Sequence, residues 1–218
     1  MDSTKTILTF LITTALIISG FYFDFGFSIY VVFILTMVVC LASYIDTGEK
    51  WILSLGFQKK NFNAKNLLVL APITALIILL IYRFFLLPVV TKITGVPIDI
   101  SAFDTIRGNP NTLFVTLLFV WTSAAFGEEI LFRGYLMTRF KRVFGTSTFS
   151  IVANILLFAV FFGAIHSYQG ITGQILVGIT GAIIATIFHF KKHDLWFCVI
   201  LHGMIDTFAF VAVYFNIF

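Results

Sequence analysis

The chain is organised as long apolar runs separated by short polar segments. A hydrocarbon core about 30 Å thick takes roughly 20 apolar residues per helical span, and runs of that length recur along the sequence. They predict seven membrane-spanning helices, numbered here as spans 1 to 7: residues 6–23, 26–45, 66–90, 113–138, 149–166, 171–190 and 195–216. The predicted fold class is therefore an all-α, polytopic transmembrane helix bundle that forms a single transmembrane domain over residues 1–218.

Two connections between the predicted spans are long enough to have structure of their own. Segment 47–65 mixes apolar and aromatic residues with lysines, which is typical of a short helix in the membrane interface, although a plain loop remains open. Segment 91–112 contains Pro97, Gly108 and Pro110, which favour an irregular connection.

Composition and charge agree with a membrane protein. Of the 218 residues, 60% are hydrophobic and 11% are charged, which excludes an ordinary water-soluble domain. The net charge of +4 does not indicate a nucleic-acid partner, because most basic residues lie in turns between apolar runs. With seven spans and an internal N-terminus, ten basic residues lie inside and Lys92 and Arg107 lie outside. The positive-inside rule therefore predicts an N-in, C-out orientation, with membrane lipids as partners.

Ionisable side chains inside the predicted spans mark where chemistry is expected, because each costs roughly 2.5–3.5 kcal/mol to insert. Spans 4, 5 and 7 contain such groups away from the basic turns, which predicts one shared site in the bundle interior. The groups on these three spans are Glu128, Glu129, Arg133, His166, His202 and Asp206.

Spacing divides these residues into pairs. Glu129 and Arg133 stand four residues apart on span 4, which lets a carboxylate and a guanidinium meet on one helix face. Glu128 points about 100° away from Glu129, without an equally good partner on its own helix, and is therefore a candidate general base. His202 and Asp206 have the same four-residue spacing on span 7, where a hydrogen bond would select the imidazole tautomer.

Counting residues predicts that three of these groups lie at one depth. Glu128 and His166 are each 19 residues from position 147, which lies in the turn between spans 4 and 5. If the basic residues at 139–142 mark the inner surface, Glu128 lies about 15 Å below it at about 1.5 Å per residue. His202 lies at a similar distance from the turn at 193. The three side chains are therefore expected to converge.

Three motifs resemble the CPBP family of intramembrane, metal-independent glutamate proteases, which includes CAAX prenyl endopeptidases and bacterial bacteriocin-processing or immunity proteins. They are the string Glu-Glu-Ile-Leu-Phe-Arg-Gly at 128–134, Phe162-x-x-x-His166 and His202-x-x-x-Asp206. One such motif is weak, but three in this order on successive hydrophobic segments are fairly specific. The resemblance covers roughly residues 113–210, the predicted catalytic core.

The resemblance implies roles for these residues. Glu128 would activate a water molecule, His166 would hold or polarise it, and His202 with Asp206 would stabilise the oxyanion. The positioning of this site is expected from Glu129, Arg133 and Phe162. No metal and no cofactor are expected.

The last motif departs from the prenyl-protease branch of the family, which commonly has Asn where this chain has Asp206. Asp donates a hydrogen bond only when protonated, so Asp206 is expected to orient His202 instead. The difference indicates the bacterial branch and a bacterial cytoplasmic membrane, with a membrane-associated peptide or protein as substrate. Whether substrates are prenylated, and the oligomeric state, are left open.

Two other hypotheses fit the same residues. Glu129, His166, His202 and Asp206 offer oxygen and imidazole ligands for zinc, although the chain has no His-Glu-x-x-His pair. Alternatively, the buried charges bind a peptide or an ion in a non-catalytic immunity or scaffold protein, or in a proton-coupled transporter. No inverted repeat supports transport.

Overall fold

A computed structural model of the protein describes residues 3–23 and 29–217, and within these residues the regular structure is helical, with no strand. The first three residues of predicted span 26–45 lie outside the described residues. Seven helices correspond in order to the predicted spans: α1 (Ser3–Phe23), α2 (Ile29–Thr47), α3 (Asn66–Thr94), α4 (Pro110–Phe144), α5 (Thr148–Ala164), α6 (Gly170–Phe190) and α7 (Leu195–Tyr214).

Among the described residues, six helical segments are long and apolar enough to cross a membrane, and they correspond to every helix except α5. Helix α5 has 17 residues, so it lies at the short end of the length that spans a bilayer. The prediction of an all-α polytopic bundle is therefore confirmed. The N-in, C-out orientation stays a prediction.

The connections differ from the expected boundaries. Segment 47–65 forms three short helical pieces rather than one interfacial helix: Gly48–Lys50, Trp51–Ser54 and Lys59–Asn61. Helix α4 begins at Pro110, three residues before the expected start. The Asn109 side chain accepts a hydrogen bond from the Thr112 amide, and Pro110 fits the first helical position.

Parts of α3 and α4 are wound as π-helix, in which hydrogen bonds join residues five apart. In α3 the wide turns are Asn66–Leu70, just before Pro72, and Tyr82–Leu86, just before Pro88. Because proline has no amide proton, it breaks the α-helical bonding at those points. In α4 two wide segments, Val120–Glu128 and Ile130–Met137, contain Glu128 and Arg133, and Glu129 lies between the two segments.

Helix α7 has a central place in the bundle, since it packs against α3, α4 and α6. Its N-terminal half is fully buried at Cys198 and Leu201. Helices α5 and α6 form a close antiparallel pair, in which Gly163 lies directly against the backbone of Gln174 and Gly178. Small residues permit such close approach of helices in a membrane.

A buried ionic cluster fastens α2 to α4 near their predicted cytoplasmic ends. Asp46 pairs with Arg139 Nε at 2.9 Å and with Arg142 Nη1 at 3.1 Å, and it accepts a hydrogen bond from Thr6 Oγ1 at 2.7 Å. Arg139 also donates to Ser43 Oγ at 2.8 Å. Arg139 and Arg142, two of the ten basic residues predicted to lie inside, therefore also hold α2 and α4 together.

The orientation can be checked by cysteine labelling in intact cells. We expect a membrane-impermeant maleimide to label Thr105→Cys, in the segment predicted outside, and not Lys60→Cys until the cells are permeabilised. Both positions are exposed, so access to the reagent depends on the side of the membrane. The reverse labelling pattern would contradict the N-in, C-out orientation.

The α5–α6 contact predicts a steric effect at Gly163. Gly163→Val should destabilise the protein by about 1–3 kcal/mol, because even a Cβ there overlaps the Gln174 carbonyl oxygen and lies 3.2 Å from Gly178 Cα. Thermal unfolding in detergent measures the change. Ala164→Val is the matched control, since Ala164 is exposed and the added methyl groups meet no packed helix. Equal unfolding temperatures of the two variants would contradict close packing at Gly163.

Candidate active site

A cavity of about 510 Å³ lies among α3, α4, α6 and α7. Its wall includes all four residues predicted to be catalytic: Glu128 from α4, His166 from the turn after α5, and His202 and Asp206 from α7. Phe162 also lines the cavity. The structure therefore brings Glu128, His166 and His202 together, as their similar predicted depth indicated. The catalytic roles of these residues stay predictions.

Glu128 lies at the end of the first wide segment of α4 and is 1% exposed. Its Oε2 atom is buried and has no hydrogen-bond partner among the described residues. A buried carboxylate without a partner needs a proton or a hydrogen-bond donor to compensate for its lost hydration. A water molecule in the cavity would donate such a hydrogen bond.

Glu129 is the centre of a fully buried polar network. Its Oε1 accepts hydrogen bonds from Arg133 Nη1 at 2.9 Å and from His202 Nδ1 at 2.8 Å. Arg133 Nη2 in turn donates to the Gly181 carbonyl oxygen at 2.8 Å, and its guanidinium lies 5.0 Å from the ring centre of Phe162. The network connects α4, α5, α6 and α7, so it sets where His202 stands relative to Glu128.

This network corrects the expected partner of His202. The spacing of His202 and Asp206 indicated a hydrogen bond within α7, but His202 Nε2 and Asp206 Oδ2 are 3.6 Å apart, too long for one. The imidazole is held instead by Glu129, which is 73 positions away in the chain. The α-helical spacing brings the two side chains to one face, but the orientation of the ring depends on the neighbouring helix.

The hydrogen bonds determine the tautomer of His202. Glu129 Oε1, already bound to Arg133, is a carboxylate oxygen and only accepts, so His202 Nδ1 must be the donor. The Nε2 atom is then the one that faces Asp206. It donates a hydrogen bond only when the ring is doubly protonated, and a nearby Asp206 carboxylate stabilises that cation.

His166 lies outside a regular helix, since α5 ends at Ala164, two residues before the expected end. Its Nδ1 lies 2.7 Å from the Phe162 carbonyl oxygen, which only accepts, so Nδ1 is the donor. In the neutral ring Nε2 is then an acceptor. The imidazole packs against the rings of Phe162 and Tyr168 at 4.8 and 5.8 Å between centroids.

A turn at this depth leaves backbone groups without helical partners, and segment 95–109 covers it. The Asp99 amide donates to the Gln169 carbonyl oxygen at 3.1 Å, and Thr172 Oγ1 of α6 binds the same segment by donating to the Val96 carbonyl oxygen at 2.7 Å. Irregular backbone at membrane depth is tolerated where protein covers it. This cover explains how α5 ends early and the chain returns through the longer α6.

Several cavity residues lie outside the motifs and were not predicted. Arg83, from span 3, lines the cavity. Phe103 from the expected irregular connection and Tyr168 from the turn after α5 line it as well. For Arg83 a charge inside an apolar span was an available signal. The other two depend on how the connections fold back.

The zinc hypothesis finds little support in the geometry. In the described part of the chain, no group of three or more His, Cys, Asp and Glu side chains is arranged so that it could hold a metal ion. Of the four proposed ligands, Glu129 and His202 are bound to each other.

Fold and site together define a multi-pass membrane protein with a carboxylate and two imidazoles at a cavity inside the bundle. A family model described as type II CAAX prenyl endopeptidase Rce1-like matches residues 110–208. The match contains all three motifs and confirms the resemblance to the CPBP/CAAX proteases. No curated protein and no solved structure matches the chain significantly.

The buried network predicts a large stability effect at Arg133. Arg133→Gln should destabilise the protein by about 3–5 kcal/mol, because it leaves the buried Glu129 charge without its cation. Thermal unfolding in detergent measures this. Arg107→Gln is the matched control, since Arg107 Nε pairs at 3.0 Å with the exposed Asp104 in a partly exposed position, and its loss should cost about 1 kcal/mol or less. A similar small loss in both variants would contradict the central role of the network.

Proposed function

We propose that the protein is an intramembrane endopeptidase that cleaves a membrane-associated peptide or protein with a water molecule activated by Glu128. The observation that supports this most directly is the shared cavity, where the buried Glu128 faces the same space as His166, His202 and Asp206. The match of residues 110–208 to a protease family supports the reaction class.

In the first step Glu128 acts as the general base. It takes a proton from water while the water oxygen forms a bond to the scissile carbonyl carbon, and the carbonyl π electrons move to its oxygen. The unpartnered Oε2 of Glu128 is the natural acceptor of this proton. In neutral His166 the Nε2 atom is an acceptor, and it holds the second O–H of the same water.

In the tetrahedral intermediate His202 stabilises the negative oxygen. Because Nδ1 donates to Glu129, the oxyanion is met by Nε2–H of the imidazolium form. Asp206 Oδ2, 3.6 Å from Nε2, serves as the counter-ion of this cation. This assigns a role to aspartate where the prenyl-protease branch commonly has asparagine: Asp206 maintains the charge of the donor instead of donating itself.

In the last step the carbon–nitrogen bond breaks and the proton held by Glu128 passes to the departing amine. The products are a peptide with a new carboxyl group and a peptide with a new amino group, so protons and electrons balance without a metal or a cofactor. Much of the cavity wall is apolar, which favours apolar side chains of the substrate around the cut bond.

We also propose that the protein acts in a bacterial cytoplasmic membrane. The support is Asp206 at the position where the prenyl-protease branch commonly has asparagine.

The proposal is tested by comparing membrane-derived peptides from cells that express the wild type or Glu128→Gln at matched protein levels. We expect peptides that the variant reduces by about 100-fold or more, because a positioned general base contributes that much. Glu49→Gln is the matched control, since Glu49 is exposed in the segment after α2 and should leave the peptides unchanged.

Each other result has a defined meaning. Identical profiles from wild type and Glu128→Gln would overturn hydrolysis and favour an immunity or scaffold protein. Cleavage that stops on chelation and resumes when zinc is added would assign the same residues to a metalloprotease instead.

A further inference from the structure

We propose that the substrate reaches Glu128 from the outer side of the membrane, so that the cut bond belongs to an exported peptide or to the outer half of a transmembrane segment. This inference rests on the proposed function and deepens it, because it names the class of substrate. It depends on where the cavity lies along the bundle, on the packing at its closed end and on the predicted N-in, C-out orientation.

The cavity occupies one half of the bundle. On α7 the lining residues begin at His202, near the middle of the helix, and continue to Val213, close to its end. On α4 they lie between Thr116 and Glu128, from the first turns of the helix to its middle. Among the described residues, none that follows Glu128 on α4 and none that precedes His202 on α7 lines the cavity.

The lining halves of α4 and α7 lie at the same end of the bundle. The Gly108 amide, just before α4, donates to the Tyr214 carbonyl oxygen at the end of α7, at 3.1 Å. Segment 95–109 lies at this end, and three of its residues line the cavity: Ile98, Ile100 and Phe103. All three are partly exposed in a segment that is largely exposed. The cavity therefore extends from the level of Glu128 to this exposed segment.

The opposite half of the bundle is closed by packing. Leu136 of α4 and Leu201 of α7 have no exposed surface. The buried ion pair of Glu129 and Arg133 lies on this side of Glu128, within the next turns of α4. A peptide that came from this end would have to displace packed side chains and separate two buried charges, and breaking such a pair is strongly destabilising.

Solvent access along α7 increases towards the end that meets segment 95–109. Cys198 is fully buried, whereas the side chain of His202 is 8% exposed and that of Asp206 is 27% exposed. These residues are spaced four apart, so they share one face of the helix. The increase therefore follows position along the cavity rather than direction around the helix, and it indicates that the cavity is entered from this end.

The charge distribution assigns this end of the bundle to the outside. The basic residues at 139–142 and 191–192 lie at the closed end, whereas segment 95–109 lies at the other. The positive-inside rule places the basic turns in the cytoplasm. A cytoplasmic peptide would therefore meet the packed half of the bundle, whereas an exported chain would meet the cavity.

The depth of the cavity sets a further condition on the substrate. From Val213 to His202 is eleven residue steps, or about 16 Å at about 1.5 Å per residue. An extended peptide covers that length in about five residues at roughly 3.3 Å each. The substrate therefore needs an extended end, or a locally unwound segment, of about five residues beside the cut bond.

The side of access is measured by cysteine labelling in intact cells with a small, membrane-impermeant methanethiosulfonate. Ala209→Cys places a thiol on the cavity wall of α7. We expect it to react before the cells are permeabilised, as Thr105→Cys should and Lys60→Cys should not. The parent protein, with its native cysteines, gives the baseline. Ala185→Cys is the matched control, since Ala185 is 2% exposed in the packed half and should react from neither side.

The same reagent tests whether the substrate uses this entrance. Added outside intact cells, it should block the cavity of Ala209→Cys and reduce the Glu128-dependent peptides to the level of Glu128→Gln cells. Cells with the parent protein should continue to form these peptides after the same treatment. The comparison is made within each variant, before and after the reagent, so any effect of the substitution itself is separated from the effect of blocking.

Labelling of Ala209→Cys only after permeabilisation, or from neither side, would overturn the proposal. Peptide formation that continues in labelled Ala209→Cys cells would overturn it as well. If wild-type and Glu128→Gln cells gave identical peptides, the proposed function would fail instead. Labelling would still decide which side the cavity faces, because it is measured without cleavage.

Discussion

The structure depends on one buried carboxylate, Glu129, which is fully inaccessible and shares a single oxygen between Arg133 and His202. Burying an ion costs several kcal/mol unless geometry and further hydrogen bonds compensate. Here Arg133 uses its second nitrogen on the Gly181 carbonyl oxygen and packs over Phe162. Four helices are therefore held in one relative position by a group that does not itself line the cavity.

That network also separates the tasks of two adjacent glutamates. Oε1 of Glu129 accepts hydrogen bonds from a guanidinium and an imidazole, so this glutamate serves to orient His202. Its Oε2, like that of Glu128, has no partner in the described residues. Glu128 faces the cavity, with one oxygen lacking a partner in the described residues. Neighbours on one helix thus differ in chemistry because they point in different directions: one into a closed network, the other towards a space that holds water or substrate.

Much of the site was predictable from spacing. Equal counts from the turn at 147 placed Glu128 and His166 at one level, and the structure places both on one wall. The hydrogen bond between His202 and Glu129 was not predictable, because nothing in a four-residue periodicity shows which helix lies opposite. The same holds for α3, whose apolar pattern did not indicate that Arg83 faces the cavity rather than lipid.

The sequence by itself determined the class of protein and the helical segments, because both follow from local properties: apolar runs long enough for a bilayer, and charges that are costly to insert. It also determined which residues share a helix face. Only the tertiary structure decided how those faces meet. The partner of His202, the early end of α5 under segment 95–109 and the cavity wall all involve residues far apart in the chain, whose proximity results from packing rather than from any local pattern.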